Sequence, residues 1–175
     1  VAQVRSKVIV AAVLCVAAAV IVAGRKNVEP LIPEDYQSWN STIDAPLRYP
    51  IPGHESGTRL IFINKTGEGV SVAMEEGRMS YDYPVGTKIV KEVYRNNREP
   101  DGHPDQVLLM LKAPENEMSR GGWVWVVKDP STGEETVIDY EFCVDCHANA
   151  NEPHPYGDRN EQNEFRDYAF FPYRK

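Results

Sequence analysis

The stretch Gly86-Thr-Lys-Ile-Val-Lys-Glu-Val-Tyr-Arg95 decides the architecture. From Thr87 to Arg95 it alternates as a β-strand does. Ile89, Lys91 and Val93 share one face, and Val90, Glu92 and Tyr94 share the other. Lys91 therefore lies between two apolar neighbours. A lysine there either runs its stem out along a sheet edge or meets a group that stabilises it.

More strands lie on both sides of this one. Arg59-Leu-Ile-Phe-Ile-Asn64 is a short apolar run that ends at Asn64-Lys-Thr-Gly67. Val107 to Lys112 is bounded by Pro104 and Pro114. Trp123-Val-Trp-Val-Val127 is the clearest strand, closed by the turn Asp129-Pro-Ser-Thr-Gly133. Thr136 to Asp139 reads either as a short strand or as the entry to a helix over 140–150. Val70 to Met79 reads as a short helix. Residues 25–58 are proline-rich, and Pro33-Glu-Asp-Tyr36 opens one short helix that Tyr36 and Trp39 dock. The tail, 151–175, is polar until the aromatic patch Tyr168-Ala-Phe-Phe-Pro-Tyr173, which packs back on the domain. The fold class is α+β, predominantly antiparallel sheet with a few helices.

The chemistry is concentrated in Cys143-Val-Asp-Cys-His147. Cys-x-x-Cys-His is the attachment signal of a c-type haem: two thiols join the porphyrin edge and the adjacent histidine reaches the iron. The prediction is one covalent haem c, with Cys143 and Cys146 as attachment points and His147 as proximal ligand. Rival readings are a thioredoxin-like pair, which needs a βαβ context, and a structural zinc site, which needs four ligands with only His154 near as the fourth. The plainest alternative is two buried thiols beside a solvated histidine. The position of the motif excludes the small all-helical carriers, where it comes early. Residues 59–128 lack the long 3.6-residue periods of a four-helix-bundle cytochrome.

Arg5 and Lys7 precede an apolar run from Val8 to Ala23. It suits a signal peptide and is short for a spanning helix, which needs about 20 residues. Val22-Ala-Gly24 is a fair cleavage site, with Arg25-Lys26 directly after it; the balance favours an uncleaved anchor over a removed signal. Either way the rest of the chain is expected on the periplasmic side. The expected division is 1–24 signal or anchor, 25–45 linker and entry helix, and 46–175 haem domain. The net charge of −7 argues against nucleic acid and is compatible with a basic redox partner, such as another cytochrome.

The pieces Pro33-x-x-Tyr36-x-x-Trp39, Arg59-x-x-x-Ile63-Asn64, Gly86-Thr-x-x-Val-Lys91-Glu92, Trp123-x-Trp-x-Val, Cys143-x-x-Cys-His147 and Asp167-Tyr168-x-Phe170 occur in one order. In this the chain resembles the cytochrome P-460 family and its relative cytochrome c′-beta. The resemblance covers most of residues 33–173. It implies a β-rich homodimer with His147 on the iron. In the P-460 branch a lysine is joined to the porphyrin, and Lys91 matches that position. That branch oxidises hydroxylamine to nitrous oxide or nitric oxide at a five-coordinate haem. The c′-beta branch lacks the crosslink and binds nitric oxide.

Active members use a carboxylate beside the open iron face. The candidates are Asp139, Glu135 and Glu141, with Asp139 preferred. Arg59 matches a family arginine and is expected either to pair a haem propionate or to line the pocket, though a plain surface arginine reads equally well. Phe62, Trp123 and Trp125 read as core. His54, His103 and His154 read as loop histidines; any of them, or Met74, Met79, Met110 or Met118, would make an electron carrier by closing the sixth iron position. Residues 149–166 are longer than the resemblance leads one to expect.

Overall fold

A computed structural model describes residues 29–175, apart from 54, 56, 140 and 175. The expected leader, 1–24, and the histidine at 54 lie outside the described residues. Leu31–Lys175 form one compact unit. Its strands are β1 Asn40–Ser41, β2 Gly57–Ile63, β3 Ser71–Glu75, β4 Arg78–Asp82, β5 Lys88–Arg95, β6 Gln106–Lys112, β7 Trp123–Lys128 and β8 Glu135–Ile138; its α-helix is α1, Glu141–Ala148. Six strands make one antiparallel sheet in the order β1-β2-β5-β6-β7-β8, and β3 and β4 form a separate hairpin. The strand read at 87–95 is β5, in the sheet interior. Thr136 to Asp139 resolves as strand β8, with α1 starting two residues beyond Asp139.

The helix expected over Val70 to Met79 is instead the β3–β4 hairpin. Glu76 at φ +51 and Gly77 at φ +85 supply the two left-handed residues that a tight hairpin turn needs. Every residue of β3 is exposed, so no in–out alternation was available to mark it as a strand. The expected entry helix is a single 3₁₀ turn, Tyr36–Ser38, with Tyr36 buried.

The sheet has an apolar cluster on each face. On one, Ile63, Ile89, Met110 and Trp125 line up in cross-strand register, joined by Val70, Tyr81, Tyr83, Trp123 and Ala169. On the other, Val90, Leu109, Val124 and Val126 pack against Ile32 and Tyr36. Phe62 belongs to this second face, edge-on to Tyr36 at 5.8 Å. Each fully buried Ile or Val contributes on the order of 1.5–3 kcal/mol.

Asn64 pins the register. Its Oδ1 accepts from Lys88 N at 3.0 Å and its Nδ2 donates to Gly86 O at 3.0 Å. Lys91 thereby falls opposite Ile61 on β2 and Leu108 on β6.

The tail folds back as expected: Tyr168 and Tyr173 pack on the first core. The long segment before it is held by charge. Arg166 makes two hydrogen bonds to Asp158, both 2.8 Å, and one to Glu164 at 2.9 Å; Arg174 reaches Glu164 at 2.7 Å. Among the described residues no helix is long and apolar enough to cross a membrane.

Candidate haem site

The site is built on the first sheet face. Arg59, Ile61 and Ile63 alternate onto that face from β2; Ile89, Lys91 and Val93 do so from β5. Arg59 pairs with Val93, one step along the face from Lys91. Helix α1 covers this face through Val144, bringing the cysteine and histidine side chains with it.

Electrostatics place these groups together. The amine of Lys91 is lowered to about 8, first by burial and then by the Arg59 charge, with the Cys146 and Cys143 thiols acting in the opposite sense. Burial pushes both thiols up, partly offset by Lys91. His147 is lowered to about 3 by burial and then by Lys91, partly offset by its hydrogen bond to Tyr168. Lys91, Arg59, Cys143, Cys146 and His147 thus form one interacting cluster assembled from three elements.

His147 is fixed on several sides. Its Nδ1 lies 2.9 Å from Tyr168 O. A carbonyl only accepts, so Nδ1 carries the proton and Nε2 is left with its lone pair. Trp125 and Phe170 meet the ring edge-on at 4.7 and 5.3 Å. Tyr168 and Asp167 before it lie at φ +68 and +47, a backbone conformation that costs non-glycine residues roughly 1–3 kcal/mol each. The Tyr168 ring lies on Gly121, where an added Cβ would come within 2.5 Å of it.

Arg59 is 1% exposed. Its Nη2 donates to Tyr49 O at 2.5 Å, and the guanidinium lies 4.9 Å from the Tyr49 ring. Nε and Nη1 are buried and have no hydrogen-bond partner among the described residues. A buried guanidinium with two unsatisfied N–H groups is suited to a carboxylate.

Asp139 sits at the rim of an open recess lined by Arg120, Asp139, Glu141, Phe142 and Cys143. It accepts from Arg120 at 2.8 Å, with 64% of its side chain exposed. Glu135 lies elsewhere and accepts from Leu31 N and Ile32 N at 2.7 and 3.1 Å. His154 is in a loop but buried, stacked on Tyr156 and edge-on to Phe170 at 5.0 Å. His103 is exposed. Met110 lies in the first core, and Met74, Met79 and Met118 are exposed.

Sequence reasoning gave no role to Lys112, Arg120 or the Tyr168 carbonyl. Their contacts depend on where the tail and the β6–β7 connection end up, which no local period encodes. Asp167-Tyr168 was visible as a motif without a partner.

The donor set fits haem. Two thiols three residues apart on a helix, a neutral imidazole with Nε2 available, and a buried cation seeking a carboxylate match a porphyrin edge, its iron and a propionate. Among the described residues no group of three or more His, Cys, Asp or Glu is placed to hold a metal ion by itself, which counts against the zinc reading. The sheet is antiparallel throughout, against the thioredoxin reading. Fold and site together define a β-sheet cytochrome. A family profile for cytochrome P460 matches residues 33–170. The chain belongs to the cytochrome P460 family, whose members are haem enzymes, and haem is its implied cofactor. A search of curated proteins returned no match.

Proposed function

We propose that this protein is a periplasmic c-type haem enzyme that oxidises hydroxylamine to nitrous oxide or nitric oxide. The observation that carries the reading is Lys91, set on the sheet face beneath α1 and electrostatically coupled to both thiols and to His147. Its amine, lowered to about 8, is partly neutral near pH 7–8, and a neutral amine carries the lone pair for a C–N bond to a porphyrin carbon; that bond would replace a C–H and an N–H, with an oxidant of the peroxide class taking up the two electrons.

Cys143 and Cys146 would carry the thioether links, His147 Nε2 would ligate iron, and Arg59 would pair a propionate. When bound, the haem supplies the redox chemistry. The chain's residues hold and orient. Tyr168 O keeps the proton on Nδ1, while Trp125 and Phe170 stop the imidazole from rotating. Asp139, beside Cys143 at the recess rim, is the proposed acceptor of substrate protons, with Arg120 holding its carboxylate. A homodimer and a cytochrome acceptor accompany this reading.

The test is the absorption spectrum of the dithionite-reduced protein beside that of Lys91→Leu. A broad Soret band shifted to the red in the native protein and lost in the variant supports the enzyme. A normal five-coordinate spectrum in both leaves the alternative, a nitric-oxide-binding protein of cytochrome c′-beta type.

A further inference from the structure

The Lys112–Asp167 ion pair lies outside everything assigned above. Lys112 Nζ donates to both Asp167 carboxylate oxygens, at 2.8 and 2.7 Å, and the aspartate side chain is 6% exposed. Trp123 Nε1 donates to the Asp167 carbonyl at 3.0 Å. Asn151 Oδ1 accepts from Tyr168 N at 3.0 Å and from Arg166 N at 3.1 Å. These contacts converge on the two consecutive left-handed residues, Asp167 and Tyr168. A backbone in that conformation persists only where its surroundings over-determine it, and such sites concentrate where a function needs the geometry.

What the geometry delivers is one carbonyl. Tyr168 O meets His147 Nδ1 at 2.9 Å. A partner on the distal nitrogen of a metal-ligating histidine sets its tautomer, fixes the ring and raises its basicity. We infer that Lys112 and Asp167 are positioning residues for the iron ligand: their ion pair holds the Tyr168 carbonyl on His147 and thereby tunes the iron. Neither residue touches the ring; the effect passes through the backbone turn. The inference rests on the reading of His147 as the haem ligand.

The experiment compares the full-length haem-loaded protein with Lys112→Met, Asp167→Asn, Lys112→Arg and Trp123→Phe. Resonance Raman of the ferrous state gives the iron–histidine stretch, and a redox titration gives the midpoint potential. Lys112→Met and Asp167→Asn are expected to lower the stretch and raise the potential, because a weaker Nδ1 hydrogen bond leaves a less basic ligand. Lys112→Arg restores both. Trp123→Phe, which removes the indole N–H shared between the Asp167 carbonyl and its Oδ1 but leaves both Lys112 bonds to the carboxylate, gives a smaller change in the same directions and keeps the test available if Lys112→Met fails to fold. Variants that lose thermal stability while stretch and potential stay native would overturn the inference. If the native protein proves to carry no haem, the proposed function fails on its own. The inference is then read from side-chain ¹⁵N signals of His147 in the full-length chain. A single Nδ1–H tautomer in the native protein and a mixture in Lys112→Met supports the positioning half, that the ion pair holds the Tyr168 carbonyl on His147, while the tuning of iron falls with the haem; one unchanged tautomer in both sinks the inference whole.

Discussion

The Glu92 carboxylate accepts the Tyr36 hydroxyl at 2.7 Å, on the sheet face opposite the lysine that precedes it in the chain. Gln37 and Tyr94 complete its shell at 2.5 and 2.8 Å, and Glu92 is fully buried. One dipeptide thus serves both layers: Lys91 faces the candidate haem site and Glu92 anchors the entry segment. Tyr36→Phe leaves the carboxylate short of a donor and is expected to cost about 1–3 kcal/mol, read from the shift in a urea melt. A midpoint equal to that of the native protein would show the bond to be dispensable.

Lys91 gives a pH signature in the haem-free chain. Its amine titrates near 8 when folded, against an ordinary 10.5. Between those values the unfolded chain binds the proton that the folded chain has lost, so the Lys91 contribution to stability rises with pH across roughly 8 to 10.5, while the raised Cys143 and Cys146 thiols contribute in the opposite direction. Below about 8 both states are protonated and the burial penalty is present in full. Lys91→Met should remove this contribution, so that stability rises less, or falls more steeply, with pH over that range. Chemical denaturation at a series of pH values measures it, and parallel slopes in the two proteins would contradict the assignment.

Asp139 and Arg120 are both well exposed, so their 2.8 Å pair contributes at most about 1 kcal/mol to stability. If Asp139 takes the substrate's protons, Asp139→Asn lowers hydroxylamine turnover about 10²- to 10⁴-fold with the melting temperature and absorption spectrum unchanged. Steady-state kinetics decide, and turnover within a factor of two of native would assign the proton to another group.

Acid should loosen the tail first. Burial raises the Glu164 carboxyl, but Arg174 and Arg166 outweigh it and hold the group below its ordinary 4.5. A depressed carboxylate contributes stability above its unfolded value and loses it as pH falls through the folded one. Below about pH 4.5, amide exchange in the segment around Asn160, Glu164 and Arg166 is expected to accelerate before that in β5 to β7. Simultaneous loss of protection everywhere would show that the tail has no independent lability.

The central sheet was legible because β2, β5, β6 and β7 are short apolar runs between turn signals. The motif named the two thiols and the imidazole without any tertiary information. The β3–β4 hairpin was not legible: Val72 and Met74 are 49% and 65% exposed, so the outward side chains carry no core pattern. The single strand period that set Lys91 apart also put Glu92 on the other face, yet nothing local says that Tyr36 will meet it from 56 residues away. The Tyr168 carbonyl is a backbone group, and composition is silent on where a backbone group points.

Tyr168 follows His147 in the chain by 21 residues. The cysteines, the histidine and Trp125 all precede in the chain the carbonyl that fixes the imidazole tautomer. Until the segment carrying Tyr168 docks, the ring is free to turn. Attachment at the cysteines and orientation of the imidazole are therefore separable steps, and the tautomer is set only by the second.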